Sequence, residues 1–396
     1  MADAQFMRLA LRLARRGYGC TSPNPMVGAV LVKRGKIIGR GWHRRAGMPH
    51  AEIEALRDAA KHGHSPKGAT LYVTLEPCCT HGRTPPCTGA IIAAGIKRVV
   101  IGATDPNPKH AGKGFKILRK AGIEVAAFGV PRLRGQVRTQ QRNRVNAGLQ
   151  TLADECTRLN ESFNHWIVHH TPFVTVKAAM TLDGKIATAS GESKWITGEL
   201  ARAHGMKLRQ GSDAILVGVN TVLADNPSLT LRTAKPKSLR RIVLDSMART
   251  PLTANVVTDD HAALTTIVVS KRAPKSRVAA LAMRVNVLVC PEARSVKHDA
   301  RINLRWLIKK LGSENITSLL VEGGGEVNAS FLMGGLAQRV AFFYAPKILG
   351  GRDSRRAVAG EGAAALAEVL KLTEVEWRKL GPDLLLTARV TPRTHP

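Results

Sequence analysis

The first hundred residues contain side chains that together could hold a metal and move a proton. His50 and Glu52 are separated by one alanine, and the stretch LEPCCTHGRTPPC, residues 75–87, carries three cysteines. Imidazole nitrogen and thiolate sulfur are ligands that Zn²⁺ prefers, and a carboxylate beside such a site can act as a general base. A metal site, a disulfide and a proline-stiffened loop are three interpretations of this stretch.

The cysteine content and the N-terminus argue against a secreted, disulfide-bonded protein. The chain of 396 residues has six sparse and uneven cysteines, unlike a disulfide framework: Cys20, Cys78, Cys79, Cys87, Cys156 and Cys290. The opening MADAQFMRLALRLARRGYG has apolar residues at helical spacing and lacks a signal-peptide h-region with a cleavage site. No run of about 18 apolar residues occurs. We therefore expect a cytoplasmic protein without a membrane partner.

The order of the candidate ligands is typical of zinc-dependent deaminases. An H-x-E followed by P-C and a further cysteine places one histidine and two cysteines around Zn²⁺ and leaves the fourth position for water. The metal would lower the pKa of that water to about 7, and Glu52 would pass its proton to the departing amine. Cys78 and Cys87 bracket the loop, whereas adjacent side chains such as Cys78 and Cys79 diverge too far to share one ion. Because a lone H-x-E usually only caps a helix, the joint pattern carries the prediction.

The elements around these residues predict a layered α/β domain. Strands are expected at 27–33, 36–43, 69–75, 97–103 and 122–128, and helices at 50–63, from Cys87 onward, and over LADECTRLNESFNHW. The length predicts two domains.

From Thr171 onward the pattern predicts a second α/β domain. TPFVTVKAAMTLDGKIA indicates a strand and a turn at Asp183–Gly184, and SDAILVGVNTVLADNPSLTLR a strand, a short helix and a polar turn. Residues 318–332, SLLVEGGGEVNASFL, indicate a buried strand that opens through three glycines into a helix. Such glycines let backbone N–H groups approach a phosphate. The spacing is not G-x-G-x-x-G, so a tight turn and a phosphate loop are both open.

Motifs in both halves resemble one family. TSPNPMVGAVLV, HAEIEAL, LEPC…HGRTPPC and ATDPNPKHAGKG are similar to the deaminase half of the bifunctional riboflavin-biosynthesis pyrimidine deaminase/reductase family. TPFVTVKAAMTLDGKIA, GESKWITG, DAILVGVNTVLADNPSLTLR, VEGGGEVNASFL and APKILGG are similar to its reductase half. The resemblance implies a cytidine-deaminase-like α/β domain over 1–169 and a dihydrofolate-reductase-like α/β domain over 170–396. It covers nearly the whole chain outside residues 130–150.

For the deaminase half, the resemblance implies that Cys78 and Cys87 are zinc ligands and that Cys79 is a bystander. It also implies that the eight-residue insert between the ligands covers the substrate, a diaminopyrimidinone carrying ribose 5-phosphate. The implied pyrimidine contacts are Asn24 and His43. An asparagine amide can both donate to and accept from a ring edge, although S-P-N-P alone is also a turn signal.

The insert itself departs from the family at one position. The guanidinium of Arg83 suits a phosphate. Family members often carry a histidine two positions after the first cysteine, where this chain has Thr80. His81, one residue further on, could cover that role.

For the reductase half, the resemblance implies NADPH as cofactor. The implied cofactor contacts are Ala179, Trp195, Thr221, Asp225, Ser246, Gly324, Gly325, Glu326, Val327, Asn328, Ala329 and Ser330. The implied substrate contacts are Ser193, Arg209, Leu229, Arg232 and Glu322, with Lys177 as a catalytic residue close to the reacting sugar. Arginines can grip a ribose phosphate through paired hydrogen bonds, and carboxylates can fix sugar hydroxyls. Taken singly, most of these residues fit a turn or a core equally well.

The formal charge of +31 is not explained by these sites. Residues 130–150 contain several arginines and neither a carboxylate nor an aromatic residue, and Arg134, Arg138 and Arg142 would form a stripe on a helix. A solvated helix, a mobile loop and a contact with nucleic acid are the alternatives. The lack of an aromatic residue weakens the last of these.

The combined prediction is a two-step enzyme. Its first half would use Zn²⁺ to deaminate 2,5-diamino-6-ribosylamino-4(3H)-pyrimidinone 5′-phosphate, and its second half would use NADPH to reduce the ribosyl chain, giving 5-amino-6-ribitylaminouracil 5′-phosphate. The alternatives are a zinc deaminase acting on a nucleic-acid base, which leaves the second half without a role, and a metal-stabilised binding scaffold. We expect a homo-oligomer with a phosphorylated pyrimidine substrate and no nucleic-acid partner.

Overall fold

The computed structural model describes most of the chain, in two compact units. The described residues are 2–81, 85–128, 143–231, 237–291 and 302–391. The units are Met1–His170 and Thr171–Pro396. No helix within the described ranges is long and apolar enough to cross a membrane. The basic stretch expected at 130–150 lies outside the described residues as far as residue 142.

The N-terminal unit is built on a five-stranded sheet with the strand order β2–β1–β3–β4–β5. Its strands are β1 (Gly28–Lys33), β2 (Lys36–Trp42), β3 (Thr70–Val73), β4 (Arg98–Ile101) and β5 (Glu124–Ala127). Its helices are α1 (Ala2–Ala14), α2 (Ala51–Lys61), α3 (Cys87–Ala93), α4 (Lys113–Lys120), α5 (Asn143–Leu159) and α6 (Glu161–His169). Strand β1 is antiparallel to β2 and β3, and the remaining pairs are parallel.

Both faces of this sheet are covered by helices. Ala29 and Leu31 pack with residues of α2, α3 and α4, whereas Val30 and Val32 pack with residues of α1 and α5. Successive side chains of a strand point to opposite faces, so a strand buried on both sides is apolar without alternation. The apolar runs in the sequence have this cause, and the layered α/β expectation is confirmed.

Two glycines of β2 allow α2 to lie directly on the sheet. A Cβ atom on Gly39 would lie 2.3 Å from the carbonyl oxygen of Ala55, and one on Gly41 would lie 2.2 Å from that of Ala51. Any other residue type would therefore push the helix away. The close approach fixes the start of α2, where His50 is the N-cap residue.

The single helix expected over LADECTRLNESFNHW is wrong, because α5 ends at Leu159 and α6 begins at Glu161. Between them, the buried Asn160 accepts a hydrogen bond from the backbone N–H of Met26 at 2.7 Å and donates one to its carbonyl oxygen at 2.9 Å. These two bonds anchor the helix break to the chain just before β1.

The C-terminal unit is built on a nine-stranded sheet with the order β11–β10–β9–β8–β12–β6–β13–β16–β15. Its strands are β6 (Phe173–Thr181), β7 (Lys185–Ala187), β8 (Ala214–Gly218), β9 (Arg240–Leu244), β10 (Thr265–Ser270), β11 (Asn286–Cys290), β12 (Ser318–Val321), β13 (Arg339–Ala345), β14 (Arg355–Arg356), β15 (Leu372–Leu380) and β16 (Asp383–Val390). Its helices are α7 (Glu199–Gly211), α8 (Val219–Asp225), α9 (Asn255–Thr258), α10 (Lys275–Ala282), α11 (Leu304–Ser313) and α12 (Gly325–Met333). Strands β7 and β14 form a separate pair.

The large sheet is parallel from β11 to β13 and antiparallel at the β16–β15 edge. Val174 and Leu216 belong to a core that includes α11 and α12, whereas Ile215 and Val217 belong to a core that includes α8, α9 and α10. The central strands are therefore buried on both faces. Polar loops that follow β6, β8, β9 and β12 leave the sheet at the carboxyl ends of parallel strands, the usual place for a ligand site.

Candidate active sites

The N-terminal unit brings three metal-binding side chains together. One ligand atom each from His50, Cys78 and Cys87 lies within 4.8 Å of the others, and this is the one such group in the described part of the chain. The Nδ1 atom of His50 lies 3.5 Å from the Sγ atom of Cys78 and 3.3 Å from that of Cys87. One imidazole and two thiols are the donor set of a catalytic zinc site, so these residues fit the metal.

The environment of Cys78 favours the thiolate that a metal needs. Hydrogen bonds from the Cys87 thiol, from His50 and from the backbone N–H of Cys87 lower the pKa of Cys78 to about 4, although burial opposes them. The N–H bond from Cys87 measures 3.3 Å to Sγ, and Cys87 is the first residue of α3. A helix N-terminus adds partial positive charge beside the sulfur.

Glu52 lies in the first turn of α2, two residues after the metal-binding histidine. Its side chain is buried, and burial together with the negative charge of Cys78 raises its pKa to about 7. A carboxyl group with a pKa near 7 can take up and release a proton near neutral pH.

Asn24 and His43 lie next to the metal-binding residues. The Nδ1 atom of His43 lies 3.1 Å from the carbonyl oxygen of Pro49, which can only accept, so Nδ1 carries the proton and Nε2 accepts from the Asn24 amide at 3.2 Å. The His43 ring packs edge-on to the His50 ring with 5.3 Å between centroids. Burial lowers the pKa of His43, which keeps the ring neutral. The expected phosphate contact, Arg83, lies outside the described residues.

Glu76 was not singled out from the sequence, yet it holds the cysteine loop in place. Its carboxylate accepts backbone hydrogen bonds from Asp105 at 3.2 Å, from Gly112 at 3.0 Å and from Gly114 at 2.9 Å. These bonds tie the segment before Cys78 to the turn between β4 and α4. A glutamate directly before Pro-Cys was the available signal, and the structure adds that it is buried, where a carboxylate requires partners.

The C-terminal unit contains a cavity of about 1300 Å³. Ten of the residues that the family resemblance implied for cofactor or substrate line it: Ser193, Thr221, Asp225, Ser246, Gly324, Gly325, Glu326, Val327, Ala329 and Ser330. Ala179, Trp195 and Asn328 are not among the lining residues, and neither are the expected substrate or catalytic residues Lys177, Arg209, Leu229 and Glu322. Asn328 is buried and donates to the carbonyl oxygen of Ala357 at 2.8 Å, and Trp195 is largely exposed with the guanidinium of Arg202 over its ring.

The glycine turn before α12 fits a phosphate group better than a plain turn. Gly324 is the N-cap residue of α12, no side chain caps this helix, and the position of a Cβ on Gly324 is open space. A Cβ on Gly325 would lie 2.3 Å from the carbonyl oxygen of Arg356, so the next loop passes close to the backbone. Uncapped backbone N–H groups beside a large cavity suit the pyrophosphate of a dinucleotide.

Glu322, just before this turn, pairs with two cations. Arg209 donates to its two oxygens at 2.9 and 2.8 Å, and the ammonium group of Lys177 lies 3.8 Å away. Burial acts to raise the pKa of Glu322, but the charges of Lys177 and Arg209 outweigh it and hold the pKa at about 2. The three side chains meet because β6 and β12 are adjacent and α7 packs nearby.

The remaining expected substrate contacts are distributed around this cluster. A third nitrogen of Arg209 donates to the carbonyl oxygen of Thr230 at 3.2 Å, next to the buried Leu229, whose φ is 53°. Ser193 donates to Asp225 at 3.4 Å. Arg232 lies outside the described residues.

Five further polar residues that the sequence did not single out line the cavity, of which three are arginines: Asn220, Arg249, Arg355, Arg356 and Glu361. Arg249 donates to the side-chain oxygen of Asn220 at 2.9 Å. The adjacent arginines in DSRRAV are visible in the sequence as a possible phosphate contact. Nothing in the sequence shows that they lie near the glycine turn before α12. Their cationic groups give the cavity a character suited to phosphates.

Comparisons with protein-family models agree with both halves of this description. Residues 1–103 match the cytidine and deoxycytidylate deaminase zinc-binding region, and residues 172–386 match the RibD C-terminal domain. The chain belongs to the RibD family. The riboflavin biosynthesis protein RibD of Actinobacillus pleuropneumoniae is 44% identical over 98% of this chain and 95% of its own length. That of Escherichia coli K12 is 39% identical over 98% of this chain and 99% of its own.

Solved structures of RibD proteins show the same fold over nearly the whole chain. One form of Acinetobacter baumannii RibD has a TM-score of 0.80 at 34% identity and covers 98% of this chain and 99% of its own. The diaminohydroxyphosphoribosylaminopyrimidine deaminase/5-amino-6-(5-phosphoribosylamino)uracil reductase of Thermotoga maritima has a TM-score of 0.78 at 35% identity, with the same coverage.

Membership of the RibD family confirms the expected family, its cytidine-deaminase-like first half and its reductase second half. The match to a deaminase zinc-binding region also supports zinc as the metal for the cluster around His50. The nucleic-acid alternative left the second half without a role, whereas the RibD C-terminal domain covers that half.

Proposed function

We propose that this chain catalyses two consecutive steps of riboflavin biosynthesis. Residues 1–169 would release ammonia from 2,5-diamino-6-ribosylamino-4(3H)-pyrimidinone 5′-phosphate. Residues 170–396 would then reduce the ribosyl chain with NADPH to give 5-amino-6-ribitylaminouracil 5′-phosphate. The observation that carries the proposal is that one RibD-family chain holds the three-ligand cluster near buried Glu52 in its first half, and the Lys177–Glu322 pair and a dinucleotide-sized cavity in its second half.

The deaminase residues divide the work of a hydrolytic deamination. Zinc bound by His50, Cys78 and Cys87 would supply the Lewis acidity that makes water nucleophilic at neutral pH. Glu52 would take the proton from water and deliver it to the leaving amine. The neutral His43 and the amide of Asn24 would hold the pyrimidine edge, because together they offer both donors and acceptors.

The reductase residues would position the sugar chain. NADPH, when bound in the cavity, supplies the hydride. The Lys177 ammonium can donate to the sugar oxygen on which negative charge develops, and Glu322 holds the ammonium group in place. Arg209 already gives two donors to Glu322 and one to Thr230, so only its remaining N–H groups could reach a phosphate. Its first role in this proposal is to orient Glu322.

The direct test follows both products from one sample. The purified protein, loaded with zinc, is incubated with the diaminopyrimidinone phosphate and NADPH while ammonia and nicotinamide absorbance are recorded. We expect ammonia release without NADPH and NADPH oxidation only after deamination. Ammonia release with no NADPH oxidation would refute the reductase assignment.

Glu52→Gln separates the chemical step from metal binding. Glutamine has nearly the same shape but cannot carry the proton, so we expect ammonia release to fall by about 10²-fold or more while bound zinc stays at the unaltered level. Retained deamination would refute the role of Glu52. The cytoplasmic location and the homo-oligomer stay predictions.

A further inference from the structure

The residue that departs from the family pattern, Thr80, has a histidine beside it in the fold. The hydroxyl oxygen of Thr80 lies 3.3 Å from the Nε2 atom of His110, and the sulfur of Cys79 lies 3.6 Å from its Nδ1 atom. His110 is 30 residues further along the chain and half-buried in the turn between β4 and α4. One imidazole ring thus bridges two consecutive residues that directly follow the metal ligand Cys78.

His81, the other candidate from the sequence, is placed differently. Its side chain is exposed, and it makes no hydrogen bond or ion pair with any residue that the structure describes. Thr80 contacts His110, whereas His81 does not, so the two residues do not share an environment. The geometry therefore distinguishes the two histidines, which the sequence could not.

The turn that carries His110 is itself firmly built. The backbone N–H of His110 donates to the carbonyl oxygen of Asn107 at 2.8 Å. The backbone N–H of Asn107 donates in turn to the side chain of Asp105 at 2.9 Å. Glu76 binds three backbone N–H groups of the same turn, as described above. A Cβ atom on Gly114 would lie only 2.7 Å from the carbonyl oxygen of Pro77, so turn and loop are in close contact.

Two contacts on opposite sides of Cys78 therefore connect the loop to this turn. Glu76 joins them before the metal ligand, and His110 joins them after it. Either tautomer of a neutral imidazole satisfies both partners, because one ring nitrogen donates while the other accepts and both a thiol and a hydroxyl can do either. A loop held on both sides of a ligand keeps that ligand and the residues after it in one orientation, which is the role of supporting contacts around a metal site.

We propose that His110 is a positioning residue for the deamination: it holds Cys79 and Thr80, the two residues that follow Cys78, in the orientation that the pyrimidine meets. This inference rests on the proposed deaminase function. His110 touches neither the three ligand residues nor Glu52 in any hydrogen bond of the described chain. Its effect is therefore on how substrate is held, with the metal and the proton transfer left intact.

The test compares His110→Ala with His81→Ala as the matched control. Losing two hydrogen bonds of ordinary net strength should raise the KM for the pyrimidine by between about fivefold and thirtyfold in H110A, with bound zinc unchanged and kcat changed less than KM. H81A should raise the KM less than H110A does, because the His81 side chain makes no hydrogen bond with the residues that the structure describes. A raised KM in H81A with an unchanged KM in H110A would overturn the assignment, and so would loss of zinc from H110A.

A rescue variant separates positioning from a general loss of fold. Introducing Thr80→His into H110A places an imidazole next to the space that the His110 ring vacates. We expect the double variant to reverse at least half of the increase in log KM that H110A causes. Hydrogen exchange of the peptide covering residues 76–81 gives a readout independent of activity: exchange should be faster in H110A and return towards the original rate in the double variant. Unchanged exchange in H110A would refute the role of His110, whether or not the unaltered protein releases ammonia. Absence of ammonia release from the unaltered protein would count against the proposed function instead.

Discussion

The ion-pair cluster of Glu322, Arg209 and Lys177 offers a stability test whose size follows from the structure. Burial alone would raise the pKa of Glu322, but the two cations lower it from 4.5 to about 2. The difference, 4.5 minus about 2, is about 2.5 units, which corresponds to about 3 kcal/mol of folding free energy. Breaking a buried ion pair by removing one partner costs a similar amount, about 3–5 kcal/mol.

We therefore expect Glu322→Gln to lower the free energy of unfolding of the C-terminal unit by about 3 kcal/mol at pH 7. Glutamine keeps an oxygen that Arg209 can use, but it removes the charge that faces Lys177. Because the folded-state pKa of Glu322 is below its ordinary value, its contribution is fully present above pH 4.5 and is lost as the pH falls towards about 2. The difference between the two proteins should shrink over that window.

The assay must report on the C-terminal unit alone. Urea-dependent hydrogen exchange of peptides from β6 and β12 meets this need, at pH 7 and pH 3 with correction for intrinsic exchange rates. Glu199→Gln is the matched control, since Glu199 is exposed at the start of α7 and makes no ion pair with the described residues. Glu199→Gln should lower the free energy of unfolding by about 1 kcal/mol or less, because it removes a negative charge from the N-terminus of α7. An E322Q protein as stable as E199Q at pH 7, or a difference that persists undiminished at pH 3, would refute the reasoning.

Two further predictions address the N-terminal unit. Cys87→Ser should abolish stoichiometric zinc binding, measured by metal analysis after dialysis, whereas Cys79→Ser should retain it, and the opposite result would overturn the ligand assignment. Asn160→Ala should destabilise this unit by about 2–3 kcal/mol in thermal or urea unfolding, because both backbone groups of Met26 lose their partners. A change below about 0.5 kcal/mol would show that water replaces the Asn160 amide at the helix break.

The grouping of His50, Cys78 and Cys87 was predictable because these residues lie at or near the ends of local elements. His50 begins a helix whose apolar face is visible at helical spacing, and Cys87 begins another after two prolines. The strand–loop–helix order then brings these ends to the same edge of the sheet. Strand positions were predictable from a different signal. Continuous apolar runs are typical of strands that are buried on both faces of a sheet.

What the sequence could not predict depends on contacts between distant residues. The helix break at Asn160 is stabilised by Met26, 134 positions earlier, and nothing within the helical segment itself signals it. Glu322 and Lys177 meet only because β12 lies beside β6, although many elements separate them along the chain. His110 sits in the turn between β4 and α4, and the sequence of that turn does not indicate which loop it contacts.

The two buried glutamates show how the surroundings of a carboxyl group determine what it can do. Glu52 and Glu322 have the same side chain, which is buried in Glu52 and 10% exposed in Glu322, and burial by itself raises the pKa of each. Beside Glu52 is a thiolate, which adds to that effect and brings its pKa to about 7, whereas beside Glu322 are an ammonium and a guanidinium, which reverse it to about 2. A group that exchanges its proton near neutral pH suits hydrolysis with proton transfer to an amine. A group that does not exchange its proton at that pH suits holding a lysine and a sugar in place, so the roles proposed for the two glutamates are opposite.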